Sequence, residues 1–410
     1  MARRSAVDEV DREGGGPVIT ALEVYRSLPR YVAARAIGPR LPGLLAGPLA
    51  PLRLVHRDGP RHPGDGWVRV RPRLSGICGS DLATLSGHTS LYFTPLVSMP
   101  FVPGHEVVGE TLDEAPGIPA GSRVVIDPVL GCDARGLDRC AACEAGQRNR
   151  CDRITVGHLS PGLQTGYCAD TGGGWSGQLV AHQSQLHVVP EELPDERAVL
   201  VEPLACAIHI ARRAGLTDGG SALVVGAGAV GLLTALALRE LTPAGHVTVV
   251  AKYGKQAELA RRFGASDVVS PSDVAKAVRR STRALRLEPE RGQAYLLGGV
   301  DVAIDAVGSR ASIDTALRTA KAGGRVVLAG VPGDGVDMTP AWFRELDVTG
   351  AYASAGDAFD VAIKLAAEAP LDDLLGVAYP LDRWREALDH AHDGGRLGTL
   401  KVAFDLRRAS

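Results

Sequence analysis

The chain has 410 residues, 45% of them hydrophobic and 22% charged, and its formal net charge is −2 at pH 7. This length and composition can bury large cores and predict a protein of two domains. The near-neutral charge gives no reason to expect a nucleic-acid partner or a membrane surface, and we find neither a secretion signal nor a long uninterrupted apolar span. We therefore expect a cytoplasmic protein.

The N-terminal part begins with residues 1–17, which are charged and glycine-rich and are predicted to form a flexible leader. Short β-like pieces follow at Val18–Tyr25 and Leu52–His56, and the Arg/Pro/Leu-rich insert between them is expected to be a solvated loop. Further strands are predicted by period-two alternation and by Gly/Pro turns. These strands lie at Trp67–Leu74, Gly104–Thr111, Ser122–Asp127 and Gly177–Val189. The pattern indicates a β-rich domain.

The stretch from Ser221 to Ala251 reads as a strand, a glycine turn, a helix and a second strand. Gly226, Gly228 and Gly231 have the G-x-G-x-x-G spacing, in which the glycines allow a tight turn, the approach of a pyrophosphate and close helix packing. The phosphates would lie on free N–H groups at the helix N-terminus. The alternative is an ordinary turn without a ligand, but the flanking β-α-β pattern favours a dinucleotide site.

Strands and helices continue to alternate after this unit, which predicts a parallel, doubly wound sheet. Arg279–Gln293 is longer and more charged than a crossover needs and is predicted to be surface helix or loop. The predicted elements are helix Lys255–Phe263, strand Val268–Ser270, a helix ending before Gly298, strand Asp301–Ala306, helix Ile313–Ala322, and strands Arg325–Ala329 and Asp347–Tyr352. Helices at Asp357–Ala367 and Leu381–His390 and a strand at Thr399–Phe404 are expected after them.

Four of the seven cysteines lie close together, at Cys132, Cys140, Cys143 and Cys151. Four thiolates can close a tetrahedral zinc site with no open position, and such a site supplies folding free energy to a small lobe. Unrelated thiols and a zinc ribbon that reads nucleic acid are the alternatives, but the lobe lacks a basic, aromatic surface. The spacing therefore favours a structural zinc site.

Three separated pieces of sequence offer ligands for a second metal. They are Cys78 with Ser80 and Asp81 close behind, the pair His105-Glu106, and Glu202. Each is commonly structural when it occurs alone, but together they precede a dinucleotide fold. A catalytic zinc takes about three protein ligands and keeps one position open, where it acts as a Lewis acid on an alcohol or carbonyl oxygen.

The motifs GICGSD, VPGHEVVGE, the four-cysteine lobe, VEPLACAIH and VVGAGAVGLL occur in this order. In this arrangement the chain resembles the zinc-containing medium-chain dehydrogenase/reductase family, which includes alcohol, sorbitol and threonine dehydrogenases. The resemblance implies an α/β fold with a GroES-like β-rich catalytic domain at residues 18–200, a Rossmann domain at 201–350 and a return to the catalytic domain at 351–410. It also implies an active site in the cleft and a homodimer or homotetramer.

The resemblance assigns roles to particular residues. Cys78 and His105 would be zinc ligands, and Glu106 and Glu202 would hold acidic positions in or next to the coordination shell. Ser80 would pass on the substrate proton, and Asp81 would orient the histidine. Cofactor contacts are expected at Gly226, Gly228, Val230, Gly231, Ala251, Val307 and Val331.

Two departures from the family pattern concern the metal lobe and the proton path. Leu137 stands where the first lobe cysteine would be, so we expect an enlarged loop to bring Cys132 back. Ala83 stands where some members have a relay histidine, so either His88 replaces it or the proton leaves Ser80 through water. The segment Gly87–Pro100 is expected to line the substrate pocket with Tyr92 and Phe93. Trp175 is either a further lining residue or packing filler.

The predicted function is the interconversion of an alcohol and its aldehyde or ketone with NAD(P)(H) and two zinc ions per chain. The alternatives are an NADPH-dependent C=C or C=N reductase and a non-catalytic protein that binds a nucleotide. No carboxylate follows the second strand, where Ala251 precedes Lys252 and Lys255. These lysines favour NADP(H), although they could also be merely solvated, which leaves NAD(H) open. The sequence does not identify the small-molecule substrate.

Overall fold

The computed structural model describes residues 17–37, 47, 50–331 and 335–407. The predicted leader, residues 1–17, lies outside these ranges except for its last residue. The strands are β1 (Val18–Val24), β2 (Leu52–Asp58), β3 (Trp67–Gly76), β4 (Val107–Thr111), β5 (Arg123–Ile126), β6 (Leu179–His182), β7 (Leu186–Val188), β8 (Ser221–Val225), β9 (His246–Val250), β10 (Asp267–Val269), β11 (Leu285–Leu287), β12 (Tyr295–Leu297), β13 (Val300–Asp305), β14 (Ala320–Leu328), β15 (Asp347–Gly350), β16 (Leu375–Tyr379) and β17 (Lys401–Asp405). The α-helices are α1 (Leu28–Ile37), α2 (Gly79–Leu85), α3 (Ala141–Glu144), α4 (Asp195–Ala198), α5 (Val201–Ala214), α6 (Ala229–Leu241), α7 (Gly254–Arg262), α8 (Val274–Thr282), α9 (Arg310–Thr319), α10 (Thr339–Phe343), α11 (Ala358–Glu368) and α12 (Trp384–Leu397).

A six-stranded parallel sheet has the order β10-β9-β8-β13-β14-β15. Its strands are short apolar runs because helices cover both faces, with α5, α6 and α11 in one apolar cluster and α8 and α9 in another. The strand order changes direction between β8 and β13. In open α/β sheets a ligand binds at this point, beyond the carboxyl ends of the strands. The predicted doubly wound fold is confirmed.

A second, mostly antiparallel sheet has the order β16-β17-β3-β4-β5-β7, with β6 also paired to β3. Its strand β17 comes from the end of the chain and pairs with β3, so that Ala403 lies opposite Gly76. The Ile77 N–H donates to the Val402 carbonyl at 2.9 Å. The last strand therefore lies directly beside the turn that carries Cys78.

The described part of the N-terminal region contains one helix more than the sequence predicted. Strands β1 and β2 pair in antiparallel register, and the N–H groups of Leu22 and Val24 donate to the carbonyls of Trp175 and Phe101. The expected solvated loop is wrong for residues 28–37, which form α1. This helix is held by contacts with distant parts of the chain, including the bond from Arg35 to the Gly87 carbonyl at 3.1 Å. Residues 38–46, 48 and 49 of the insert lie outside the described part.

The segment before Gly298 also differs from the prediction. Helix α8 ends at Thr282, where Arg283 has φ 55°, and β11 and β12 form a hairpin with Leu285 opposite Leu297. The predicted helix is therefore present but ends at Thr282, where Arg283 leaves the helical conformation, and Arg279–Gln293, predicted as surface helix or loop, contains strand β11. Strand β16 and helix α10 were not expected. Among the described helices, none is both long and apolar enough to span a bilayer.

Candidate active site

A cavity of about 1100 Å³ lies between the two sheets. One wall is formed beyond the carboxyl ends of the parallel strands and includes Val230, Val307 and Val331. The opposite wall includes Cys78 and His105. The cavity therefore joins the predicted cofactor position to the predicted metal ligands.

Three of the predicted catalytic-zinc ligands come together in this cavity. Cys78 is the N-cap of α2, and His105 and Glu106 immediately precede β4. One ligand atom from each residue lies within 4.8 Å of the other two. A side chain at Gly76 would overlap the Glu106 carboxylate, so glycine is needed there for this approach. The mixed sulfur, nitrogen and oxygen donors beside open space fit a zinc ion that keeps one position free.

Asp81 contacts two members of this group, Cys78 and His105. One carboxylate oxygen accepts from the Cys78 N–H at 2.9 Å, and the other lies 3.5 Å from His105 Nδ1. Burial lowers the pKa of His105 and is the largest single effect, but the charge and hydrogen bond of Asp81 and those of Cys78 together raise the pKa well above its usual value. Asp81 therefore lies close to both residues, and its role in orienting the histidine ring stays a prediction.

Glu202 lines the same cavity but stands apart from the three clustered ligands. Its Oε1 accepts from Cys206 Sγ at 3.3 Å, and burial raises the pKa of its carboxyl to about 7. The structure therefore brings together Cys78, His105 and Glu106, with Glu202 at the edge of the group.

Lys401 forms a buried ion pair with Glu106, and both side chains are almost wholly inaccessible to solvent. Burial lowers the pKa of the lysine, but the Glu106 carboxylate raises it, and the net pKa lies above its usual value. An unpaired buried carboxylate would be costly, so Lys401 stabilises the charged form of Glu106.

The predicted proton-transfer residue, Ser80, lines the cavity next to Cys78. Its side chain interacts with the phenol of Tyr167, which also lies 3.3 Å from Thr84 Oγ1 and 3.3 Å from Asp81 Oδ1. Burial raises the pKa of Tyr167, so the phenol stays protonated and available as a donor. His88 is exposed, contacts Ser86 and does not line the cavity.

The residues expected to line the substrate pocket divide into two groups. Phe93 lies on the 3₁₀ segment Leu91–Leu96 and lines the cavity. Tyr92 is 77% exposed and points elsewhere, and Trp175 is fully buried against Phe404. Tyr92 was therefore wrongly assigned to the lining, and Trp175 is packing, because the neighbouring glycines let the backbone close around its ring.

The cofactor cleft follows the glycine turn. Gly226 has φ 107°, a left-handed conformation that favours glycine, and Gly228 caps α6 with open space where a side chain would project. A side chain at Gly231 would overlap the Gly226 carbonyl, so the helix can pack this closely only with glycine there. These three positions fit a pyrophosphate at the helix N-terminus.

The two lysines beyond β9 have different surroundings. Ala251 directly follows the strand, Lys252 is exposed, and its Nζ lies 5.3 Å from the centre of the Tyr253 ring. Lys255 instead pairs with Glu258 at 2.9 Å. The sequence predicted two ammonium groups near a 2′-phosphate. Of the two lysines, Lys252 has no acidic partner among the described residues, whereas Lys255 has one.

The four lobe cysteines are all buried, and their sulfur atoms lie within 4.8 Å of one another. Cys132 Sγ is 3.6 Å from Cys151 Sγ, and Cys140 Sγ is 4.0 Å from it. These distances fit the edge of about 3.8 Å that a tetrahedron with zinc–sulfur bonds of about 2.3 Å would have. The enlarged loop does return Cys132 to the cluster, where Leu137 packs beside it.

Buried Arg135 fixes the path of this enlarged loop. Its guanidinium donates to the carbonyls of Leu130, Val156 and Gly162, at 3.2, 3.0 and 2.7 Å. Gly136 follows in the left-handed conformation and turns the chain toward Cys140. The hydrogen bonds of Arg135 thus hold the longer loop in place between Cys132 and Cys140.

Two family profiles match the chain. The profile described as alcohol dehydrogenase GroES-like domain covers residues 64–191, and the profile described as zinc-binding dehydrogenase covers residues 229–368. L-Idonate 5-dehydrogenase of Vitis vinifera is 32% identical over 290 residues, which are 70% of this chain and 73% of the relative. Sorbitol dehydrogenase of Arabidopsis thaliana is 31% identical over 291 residues, with the same coverage of 70% and 73%. The chain belongs to the zinc-containing medium-chain dehydrogenase family.

Solved structures agree with this membership at the level of the fold. A protein from Escherichia coli CFT073, described as a short chain alcohol dehydrogenase and solved as a complex with NADH, matches with a TM-score of 0.71 at 23% identity. The match covers 95% of this chain and 100% of that one. This medium-chain dehydrogenase therefore has the predicted combination of a GroES-like domain and a Rossmann sheet.

Sequence reasoning missed several residues at the site of this medium-chain dehydrogenase. Lys401 could have been noticed as a single charge at the start of an apolar strand. Tyr167 and Tyr352 carry no motif that sets them apart, and Tyr352 reaches the site through its bond to Gln164 at 3.0 Å. The cavity also includes Arg26 and neighbouring residues of the N-terminal insert, which no motif predicted.

Proposed function

We propose that this protein is a zinc-dependent oxidoreductase that interconverts an alcohol and its aldehyde or ketone with NAD(P)(H). The observation that carries the proposal is the group of Cys78, His105 and Glu106 in a cavity that opens onto the carboxyl edge of the parallel sheet. The names of the relatives, L-idonate 5-dehydrogenase and sorbitol dehydrogenase, support alcohol chemistry.

Cys78, His105 and Glu106, with Glu202 close by, would hold the catalytic zinc, and the four lobe cysteines would hold a structural one. When bound, zinc supplies Lewis acidity to the substrate oxygen and the nicotinamide supplies or accepts a hydride. The chain positions these groups, since Asp81 orients His105 and Lys401 balances the charge of Glu106. Ser80 lies in the cavity wall, where its hydroxyl can pass on the substrate proton.

The test is a screen of alcohols, aldehydes, enals and imines with NAD(P)(H) absorbance measured in both directions, together with metal analysis. We expect turnover of alcohols and carbonyl compounds, and two zinc ions per chain. Turnover of enals or imines alone would favour a C=C or C=N reductase instead. Tight nucleotide binding without turnover of any compound would indicate a binding protein and would contradict the proposal.

The cofactor preference is proposed to be NADP(H). The support is the absence of a carboxylate at Ala251 together with exposed Lys252, which can form a charge-assisted bond to a 2′-phosphate. Because this lysine is solvated, we expect kcat/KM to favour NADPH over NADH by only about tenfold. Ala251→Asp combined with Lys252→Ala should reverse the order. A wild-type preference for NADH would refute this assignment.

A homodimer or homotetramer and a cytoplasmic location remain part of the proposal. Trp342 and Phe343 are exposed on α10, next in sequence to the edge strand β15, and an apolar surface of this kind favours association. All seven cysteines are free of disulfides, which fits a reducing compartment. Sedimentation of the purified protein measures the oligomeric state directly.

A further inference from the structure

One part of the cavity lining is formed by segments that contribute none of the predicted metal or cofactor ligands. They are the link between β1 and α1, the start of α1, and the segment from Thr89 to Phe101. We call these three segments the outer wall. Because they hold no predicted ligand, they are available to the portion of a substrate that does not react.

The surface of this outer wall is largely apolar. Leu28, Leu91 and Met99 line the cavity from three different segments and are 72%, 61% and 48% exposed. Phe93 lies among them. Large apolar side chains that converge on a concave surface and stay exposed mark a place where an apolar ligand is bound.

Three hydroxyl groups of this wall have partners inside the protein. Ser90 Oγ accepts from the Tyr92 N–H, Thr94 Oγ1 donates to the Leu91 carbonyl at 2.7 Å, and Thr89 Oγ1 contacts Thr84 Oγ1 at 3.1 Å. A polyol needs a hydrogen-bonding partner for each of its hydroxyl groups when it leaves water. These three hydroxyl groups keep part of their hydrogen-bonding capacity, whereas Leu28, Leu91, Phe93 and Met99 have none, so the hydroxyls of a polyol that lie against these four side chains would go unpaired.

The charges of the outer wall have one sign. Away from the Cys78 group, Arg26 and Arg53 are the charged side chains in the described lining, and no carboxylate belongs to that part of the lining. Arg53 is paired with Glu23, with two of its nitrogen atoms at 3.1 and 2.6 Å from one carboxylate oxygen, and Arg57 binds the other oxygen at 2.9 Å. Arg26 is exposed, and no ion pair or hydrogen bond to a described residue holds its guanidinium. A single unpaired guanidinium at an apolar wall complements a monoanion such as a carboxylate.

We propose that the substrate is a hydroxy acid, or the matching oxo acid, with an extended apolar body whose carboxylate is bound by Arg26 while its reacting carbon lies at the Cys78 group. This inference rests on the proposed alcohol oxidoreduction and adds the substrate class. The apolar body covers Leu28, Leu91 and Met99.

The test compares ω-hydroxydecanoate, its methyl ester, decanol and sorbitol as substrates of the zinc-loaded enzyme with NADP⁺. We expect kcat/KM for the hydroxy acid to exceed that for the ester by roughly tenfold, mainly through KM, because one solvated charge-assisted contact distinguishes them. Arg26→Met should lower the value for the acid to that for the ester and leave decanol unchanged. Arg61→Met is the matched control, since Arg61 is also exposed but lies outside the cavity, and it should behave as the wild type. Arg26→Lys should retain part of the preference.

Equal values for acid and ester in the wild type, or faster turnover of sorbitol than of every other compound, would overturn this inference and leave the proposed function standing. Turnover of no alcohol at all would count against the proposed function. Decanoate, which cannot react, separates the two cases by calorimetry on the same holoenzyme. Its dissociation constant should rise roughly tenfold in Arg26→Met, and an unchanged constant would refute the role of Arg26.

Discussion

The four-cysteine lobe and the Cys78 group both gather soft donors, yet their surroundings are opposite. In the lobe, the sulfur atoms of four buried cysteines lie within 4.8 Å of one another, with Leu137, Ala142 and Ile154 packed against them. The Cys78 group mixes three donor types, borders a large cavity and adjoins the buried charges of Asp81 and Lys401. A closed set of identical ligands provides stability, whereas an open and mixed set leaves room for substrate and needs neighbouring charges to hold it.

The largest expected difference between the two regions is in folding. Cys143→Ser should destabilise the lobe, because metal binding there contributes directly to folding, and we expect the melting temperature to fall by on the order of 10 °C or the protein to aggregate. Cys78→Ser should leave the melting temperature nearly unchanged and abolish turnover. Each variant should retain one zinc per chain. Equal melting curves for the two variants would contradict the division into a structural and a catalytic site.

The next effect concerns the charges around the open group. Lys401→Met leaves the Glu106 carboxylate buried without its partner, and removal of one member of a buried pair costs roughly 3 to 5 kcal/mol. Urea unfolding in the Cys78→Ser background, where no catalytic zinc compensates the Glu106 charge, measures this loss. Lys321→Met is the control, since its pair with Asp301 is partly exposed and should cost less than about 1 kcal/mol. Similar losses in both variants would show that the buried pair has no special role.

The smallest of the three effects should be confined to the turnover rate, kcat. Ser80→Ala should lower kcat by about 10²-fold, the range typical of a positioned proton-transfer group, and leave zinc content and cofactor binding unchanged. His88→Ala should have the rate of the wild type, because His88 is exposed and lies off the cavity wall. A normal rate in Ser80→Ala would show that another group or water moves the proton.

The features that sequence reasoning predicted well are those set by local spacing. The turn at Gly226 is defined by the strand before it and the helix after it, and the cysteines Cys140, Cys143 and Cys151 lie on one short segment. The fold class followed from the alternation of strands and helices, and the family profiles and the sheet topology confirm it. The domain boundaries and the roles of individual site residues stay predictions.

The features that were missed depend on contacts between distant segments. Helix α1 buries one residue, Ala34, and contains two arginines, so its composition resembles a loop, and its place is set by bonds to residues such as Gly87. The ion pair between Lys255 and Glu258 is an exception, since its two residues are three positions apart. It depended on where α7 starts, which the sequence did not define. Lys401 was overlooked because nothing local indicates which carboxylate lies opposite it.

The position of Lys401 also bears on how the protein is made. Cys78, His105 and Glu106 leave the ribosome early, whereas the lysine that balances Glu106 follows nearly three hundred residues later, on β17. Until that strand has been synthesised and paired with β3, the nascent chain cannot bury Glu106 with its charge compensated. The active centre is therefore completed only after Lys401 and the rest of β17 have been translated, and termination before β17 would leave it unfinished.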